Sequence, residues 1–148
     1  MGAIPLYTSV HLDIYPVGDQ EARILPFIPG ISAGFPSPAA DFIDLNIDLT
    51  KELIQNPSST FFGRVKGDSM KGAGIDDGDL MIIDKSLKAK QGSIVVCFID
   101  GDFTVKRITF DKKTCWLIAE NDKYPPIQVT EDNDMIIWGV VINAIKYL

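Results

Sequence analysis

The sequence has few of the residues that usually bind metals or act as catalytic bases. Its 148 residues include one histidine, His11, and two cysteines, Cys97 and Cys115. No Asp/Ser pattern surrounds His11, and a lone histidine beside a strand is far more often a surface or packing residue than a base. Both cysteines lie in apolar, strand-like runs without metal-ligand spacing, so we expect small buried thiols rather than a disulfide. We expect no metal and no cofactor.

Long apolar runs are also missing. The longest, residues 135–145, is interrupted by Gly139 and Asn143, and a bilayer crossing needs about 20 apolar residues. The first residues show neither a basic region nor the apolar stretch of a secretion signal. We therefore expect a cytoplasmic protein that has no membrane partner.

Basic residues are outnumbered, with 14 Lys and Arg against 20 Asp and Glu, which gives a net charge of −6. No basic cluster exceeds the lysines of residues 85–90. Proteins that grip DNA through its phosphates normally present a basic face. Direct nucleic-acid binding is therefore not expected, and any action near DNA would go through another protein.

Many short β-patterns separated by glycine turns predict a mainly β fold, a folded-over sheet or barrel, with one short helix. The helix should begin after Asp48 and end at Asn56-Pro57. Asp100-Gly101 is a strong signal for a two-residue hairpin. The predicted strands are residues 60–66, 79–84, 93–99, 103–110, 114–119, 126–129 and 135–147.

The first 30 residues offer two short strand patterns, at 11–15 and 22–25, interrupted by prolines. Such an arm is not expected to form a core alone. Residues 30–41 are rich in Gly, Pro, Ser and Ala, which is the composition of a flexible linker. An extended, mobile linker is also what a protease requires of its substrate.

Two residues become interesting when they are considered together: Ser69, just past a predicted strand end, and Lys106, on a later strand. Each alone is more often a turn or surface residue. A serine hydroxyl is a poor nucleophile until a base removes its proton, and a neutral lysine amine can be that base. The pair therefore suggests serine–lysine hydrolysis.

Lys106 must lose its charge to act as a base. Lowering a lysine pKa from about 10.4 to near 7 disfavours the ammonium by roughly 4–5 kcal/mol, which burial among apolar groups can supply. Lys106 has apolar neighbours on its own strand and across the predicted hairpin, and Asp102 is four residues away. Gly67 would let the chain turn sharply, so that the N–H groups of Asp68 and Ser69 face a developing oxyanion.

Four motifs together resemble the LexA/UmuD group of self-cleaving serine–lysine peptidases, and the closer likeness is to its UmuD-type members. The motifs are Gly67-Asp68-Ser69-Met70, Gly74-Ile75-Asp76-Asp77-Gly78-Asp79-Leu80, Gly92-Ser93-Ile94-Val95 and Asp100-Gly101-Asp102-Phe103-Thr104-Val105-Lys106-Arg107. Gly34-Phe35-Pro36-Ser37-Pro38 resembles the segment that follows the cleavage point in UmuD-type proteins. The resemblance covers about residues 31 to 148, and residues 1 to 30 contain no helix-turn-helix pattern.

The resemblance implies a LexA-type peptidase domain at residues 34–148 and an extended N-terminal arm, residues 1–33, that self-cleavage removes. Ser69 would attack the carbonyl of Ala33, Lys106 would be the general base, and the Ala33–Gly34 bond would break. UmuD itself has Cys-Gly there, and both residue pairs are small. The resemblance further implies stimulation by the RecA filament on single-stranded DNA, a homodimer, and a Y-family, UmuC-like polymerase subunit in the SOS translesion response.

Other functions stay open at this point. The chain could be a non-catalytic, β-rich interaction module of a polymerase complex that has kept the two residues. It could also be a fragment of a LexA-type or phage-type repressor. Replacing Ser69 by alanine distinguishes an enzyme, which would lose cleavage, from a pure interaction module, which would lose nothing.

Overall fold

The architecture is mainly β. A computed structural model of the protein describes residues 4–17, 24–26 and 46–148. The chain divides into two units, one of residues 1–17 with 56–148 and one of residues 18–55. The strands are β1 (Tyr7–Thr8), β2 (Leu12–Pro16), β3 (Ile24–Pro26), β4 (Asn46–Asp48), β5 (Thr60–Val65), β6 (Leu80–Asp84), β7 (Ile94–Ile99), β8 (Asp102–Phe110), β9 (Cys115–Ile118), β10 (Ile127–Val129) and β11 (Met135–Ile145).

The unit of residues 18–55 contains an antiparallel pair, β3 with β4, and a short helix, α1 (Leu49–Leu53). The predicted cap is confirmed, since Asp48 Oδ1 accepts from the N–H groups of Thr50 and Lys51 at 3.0 and 3.3 Å. Leu49, the first residue of the helix, is 44% exposed. Within the described residues, no helix combines the length and the apolar character that a bilayer crossing requires.

The other unit is built on one nine-stranded sheet in the order β1-β2-β5-β6-β11-β7-β8-β9-β10, with antiparallel neighbours throughout. All seven strands predicted between residues 60 and 147 are present, with ends within two residues of the prediction. The hairpin at Asp100-Gly101 is also confirmed. Both residues have positive φ, 49° and 90°, as a two-residue turn matched to the strand twist requires.

The sheet curls over on itself. In sheet order four strands lie between β2 and β8, yet Ser9, just before β2, donates from Oγ to the carbonyl of Phe103 in β8 at 3.0 Å. One core cluster joins these strands and includes Leu12, Met81, Val96 and Val105, each at most 3% exposed. This is the folded-over, LexA-type sheet that the sequence predicts. The predicted boundary after residue 33 lies outside the described residues.

Candidate active site

Ser69 lies in a turn that follows β5. Gly67 begins the turn with φ +87°, and its N–H donates to Asp77 Oδ1 at 2.7 Å. The predicted sharp bend at Gly67 is therefore confirmed, since this left-handed conformation favours glycine. Ser69 is half-buried, and a single 3₁₀ turn, Lys71–Ala73, follows it.

The Ser69 turn is held against the segment that follows β9. Asn121 Nδ2 donates to the carbonyl of Asp68 at 2.9 Å, and the hydroxyl of Tyr124 donates to Asp68 Oδ1 at 2.7 Å. The Gly72 N–H donates to the carbonyl of Glu120 at 2.7 Å. A Cβ atom at Gly72 would lie 2.6 Å from that same oxygen, so the close approach requires glycine.

The strand that carries Lys106 is tied to the same segment. Arg107 Nε is paired with the Glu120 carboxylate, and Arg107 Nη1 donates to the carbonyl of Gly92 at 2.6 Å. Met70 and Val105, the neighbours of Ser69 and Lys106 in the chain, belong to one core cluster. The structure thus joins the two predicted catalytic segments through the core and through residue 120.

Lys106 is buried in β8, with 5% of its surface exposed. Its Nζ donates to Thr104 Oγ1 at 2.9 Å and to the carbonyl of Val105 at 3.1 Å. In the described part of the chain it forms no ion pair. Burial lowers the pKa of Lys106, and the nearby Cys97 thiol only partly opposes this shift. The environment therefore disfavours the ammonium form, as a lysine base requires.

The two contacts of Lys106 also suit the neutral amine. An ammonium has three N–H donors, whereas a neutral amine has two donors and one lone pair. Thr104 Oγ1 and the Val105 carbonyl satisfy two donors. The lone pair of the neutral form is then the remaining hydrogen-bonding position, and it is available to accept a proton.

Asp102, the carboxylate nearest to Lys106 in sequence, lies beside His11. His11 Nε2 is 3.7 Å from Asp102 Oδ2, and both side chains are partly exposed. The pKa of His11 is lowered, first by its own burial and then by Lys106, while Asp102 acts in the opposite direction. His11 therefore lies beside the first residue of β8 as a partly exposed side chain, which fits the surface or packing role expected of it. Its lowered pKa favours the neutral imidazole rather than an ion pair with Asp102.

Both cysteines are free thiols. Cys97 is fully buried, and burial raises its pKa to about 11, so it is a core residue with little thiolate character. Cys115 is only partly buried and packs against the same cluster as Cys97. The core interpretation is confirmed fully for Cys97 and in part for Cys115.

An open cleft of about 790 Å³ lies beside the Ser69 turn. Its lining includes Asp68 and Lys71 on one side and Glu120, Asn121 and Lys123 on the other. The predicted scissile residues, Ala33 and Gly34, lie outside the described residues. The sequence did not single out Thr104 or Asn121, although strand alternation alone places Thr104 on the same face of β8 as Lys106.

Comparisons with known proteins match this arrangement to one family. The model of the Peptidase S24-like family matches residues 26–142. Protein MucA of Salmonella typhimurium is 40% identical over 130 residues, which cover 86% of this chain and 88% of MucA. Protein SamA of Salmonella typhimurium strain LT2 is 46% identical over 109 residues, covering 74% and 75%. Protein ImpA of Salmonella typhimurium is 37% identical over 138 residues, covering 93% and 94%. The chain belongs to the Peptidase S24-like family, as a UmuD-like member.

Proposed function

We propose that the protein is a self-cleaving serine peptidase in which Ser69 is the nucleophile, Lys106 is the general base and Ala33–Gly34 is the scissile bond. The observation that carries this proposal is the environment of Lys106. Its nitrogen is buried and hydrogen-bonded to two neutral oxygens, and its pKa is lowered by burial. A lysine that is costly to keep charged is suited to accept the serine proton.

In the first half of the reaction, Ser69 Oγ bonds to the carbonyl carbon of Ala33 while its proton passes to Lys106 Nζ. The tetrahedral intermediate then collapses. The bond from the Ala33 carbonyl carbon to the Gly34 nitrogen breaks, and Lys106 gives its proton to that nitrogen. The products are an acyl-serine and a new amino terminus at Gly34.

In the second half, water replaces the departed amine. Lys106, neutral again, accepts a proton from the water as its oxygen bonds to the acyl carbon. Collapse of this second intermediate returns the proton to Ser69 Oγ and leaves Ala33 as a carboxylic acid, which then releases its proton to solvent. One water is consumed and the enzyme atoms return to their starting states.

The negative oxygen that forms twice in this scheme needs fixed donors. We assign this role to the N–H groups of Asp68 and Ser69. In support, the chain there is held on both sides, by Gly67 donating to Asp77 and by Asn121 donating to the Asp68 carbonyl. A turn that is fixed in advance need not reorganise when charge develops.

Cleavage would divide the chain into an arm of residues 1–33 and a peptidase and dimerisation domain of residues 34–148. By its UmuD-like membership, we assign the protein to the SOS mutagenesis response. The RecA filament on single-stranded DNA would stimulate the cut. The product would work in the cytoplasm as a homodimer with a Y-family, UmuC-like polymerase subunit. Removal of residues 1–33 leaves 13 basic and 17 acidic residues, a net charge of −4, so protein contacts rather than DNA phosphates would mediate its action.

Intact mass after incubation tests the proposal. Wild type, Ser69→Ala and Lys106→Ala are compared at neutral pH, at about pH 10 where an ordinary lysine begins to deprotonate, and with RecA, single-stranded DNA and ATP. Exposed Ser58→Ala and Lys112→Ala are the matched controls. We expect a fragment beginning at Gly34 from wild type and both controls, and none from Ser69→Ala or Lys106→Ala. An uncut wild type under every condition would leave the interaction module as the better interpretation.

A further inference from the structure

The N-terminal segment is an integral part of the sheet, although it precedes the proposed cut. Strands β1 and β2 form a hairpin, and every residue of β2 is paired with β5, from Leu12 opposite Val65 to Pro16 opposite Phe61. Leu12 and Ile14 are 1% and 0% exposed and belong to the main core cluster. Without this hairpin, β5 would be an edge strand of the sheet.

Polar contacts fasten the same hairpin. Lys66 directly follows β5, and its Nζ donates to Asp13 Oδ1 at 2.7 Å and to the carbonyl of Ser9 at 3.1 Å. The Lys66 N–H donates to the carbonyl of His11 at 2.7 Å. Ser9 Oγ donates to the carbonyl of Phe103 at 3.0 Å. These bonds reach β8, which carries the proposed base, and the end of β5, the strand that precedes the proposed nucleophile.

Aromatic packing covers the outer part of the hairpin. The Tyr7 ring lies 5.1 Å from the Phe103 ring and 6.2 Å from the Trp138 ring, centroid to centroid. Phe61 and Phe103 also contact Trp138. The surface beneath residues 4–17 is therefore apolar and aromatic, and it is bordered by a strand edge.

We propose that this surface is a strand-binding site, and that residues 4–17 remain bound to it as a noncovalent strand after the chain is cut. The proposal rests on the proposed function for the cut at Ala33–Gly34. The β2–β5 pairing, the hydrogen bonds of Lys66 and of Ser9 with Phe103, and the ring contacts of Tyr7 all join residues 4–17 to residues 61–138. These residues lie on opposite sides of that bond, so hydrolysis breaks none of these contacts. Departure of the hairpin would expose two core side chains and leave an unpaired edge, a state that proteins avoid.

The processed protein is then a two-chain complex, in which the strand from the arm still covers β5. The edge of β5 becomes available to another extended segment only when residues 4–17 leave, because strand addition requires a free edge. Cutting and exposure of the surface are thereby two separate events.

The test makes the cut without using Ser69. In a Ser69→Ala chain, residues 36–40 are replaced by the recognition sequence of an external sequence-specific protease. After complete cutting, the sample is passed through a size-exclusion column under native conditions, and the intact masses in each peak are measured. We expect both fragments in one peak, and two peaks in strong denaturant. An amino-terminal fragment that elutes separately under native conditions would overturn the proposal.

A pair of variants identifies the contacts responsible. Ile14→Asp places a charge in the core and should release the fragment, whereas Val10→Asp, at a side chain that is 76% exposed, should retain it. If Ile14→Asp fails to fold, hydrogen exchange is measured instead on the externally cut Ser69→Ala chain that keeps Ile14. The Lys66 N–H donates to the carbonyl of His11, and the N–H groups of residues 62 and 64 point to the same side by strand alternation. If these three amides stay protected after the cut, the proposal is supported, and loss of their protection overturns it.

The design separates the two proposals. If wild type never cleaves itself but the externally cut fragments stay together, the strand-binding site stands and the peptidase function fails. If wild type cleaves itself but the fragments separate at once, the peptidase function stands and the strand-binding site fails.

Discussion

The buried Nζ of Lys106 donates to Thr104 Oγ1 over 2.9 Å, and both residues belong to β8. Residues two apart on a strand share one face, so Thr104 is a permanent neighbour of the proposed base. Its hydroxyl is neutral, so it orients the nitrogen without holding it charged as a carboxylate would. Removing the hydroxyl should therefore have two effects that can be measured separately, one on the orientation of Lys106 Nζ and one on its charge.

Thr104→Val keeps the shape of the side chain and removes the hydroxyl. We expect the maximal rate of self-cleavage to fall about 3- to 10-fold, which corresponds to about 1 kcal/mol for one hydrogen bond. A charged donor bonds its acceptor more strongly than a neutral one, so loss of the hydroxyl should lower the pKa of Lys106 further. The pH at which cleavage reaches half its maximum should therefore move down. The measurement is the cleavage rate across pH.

Thr109→Val is the matched control, since Thr109 lies on the other face of β8 and pairs with Trp116. It should change neither the maximal rate nor the pH profile. A Thr104→Val profile that stays in place, or moves to higher pH, would contradict the role assigned to Thr104.

The lowered pKa of Lys106 should appear in the stability of the fold. Because burial holds the folded-state pKa of Lys106 below its unfolded value of about 10.4, the unfolded chain binds more protons between these two values. The free energy of unfolding therefore rises with pH across that window. Lys106→Met removes this contribution, which amounts to about 1.4 kcal/mol for each tenfold difference between the acid dissociation constants of the folded and unfolded states. Relative to its parent, the Met variant should be more stable at pH 7 than at about pH 10.

Denaturant unfolding at the two pH values measures this difference, with Ser69→Ala as the parent so that the chain stays intact. Exposed Lys112→Met serves as the control and should track the parent at both. If the advantage of Lys106→Met over the parent were equal at both pH values, or grew with pH, the buried ammonium would carry no stability cost.

Local patterns in the sequence predict most of the sheet because they depend only on neighbouring residues. Asp100 and Gly101 illustrate this, since a turn that needs two positive φ angles selects residues that tolerate them, and the structure has both. The same holds for the bend at Gly67 and for the cap at Asp48. Ser69 and Lys106 were predicted from chemistry and from a motif resemblance, and the structure buries Lys106, which is the setting that its proposed role requires.

Contacts between distant segments were not predictable in this way. Asn121 supports Asp68 across 53 residues, and nothing in either local pattern indicates the pairing. The place of β2 was missed for a similar reason. Its prolines and short length suggest a separate arm, and only the curl of the whole sheet brings Leu12 into the core and Ser9 to Phe103.

The close approach of Gly72 to Glu120 should be essential to the Ser69 turn. In Gly72→Ala the new Cβ would meet the Glu120 carbonyl oxygen at 2.6 Å, and a backbone atom cannot move away by changing rotamer. We expect a loss of about 1–3 kcal/mol in the free energy of unfolding, the usual cost of overpacking. Because the displaced turn carries Ser69, the cleavage rate of the folded protein should fall by at least about 10-fold, or about 1.4 kcal/mol.

Gly139→Ala is the control, since its Cβ would meet Ile83 Cγ2 at the same 2.6 Å but on β11, where the clash is with a side chain. It should lower stability while leaving the cleavage rate of the folded protein near that of wild type. Equal losses of cleavage in the two variants would show that stability alone, and not the position of the turn, determines the rate.

Asn121 should affect the rate without affecting the base. Its Nδ2 donates to the Asp68 carbonyl at 2.9 Å and its Oδ1 accepts from the Lys123 N–H, so Asn121→Ala loosens the turn on the nucleophile side only. We expect cleavage to slow about 3- to 10-fold, again about 1 kcal/mol, with the pH profile unchanged. Asn133→Ala is the matched control. Asn133 Nδ2 donates to the Asp100 carboxylate and its Oδ1 accepts from the nearby Thr130 N–H, but in a different turn. This variant should cleave at the wild-type rate. If the pH profile of Asn121→Ala shifted, the turn and Lys106 would be electrostatically coupled. That result would contradict the assignment of Asn121 to the nucleophile side only.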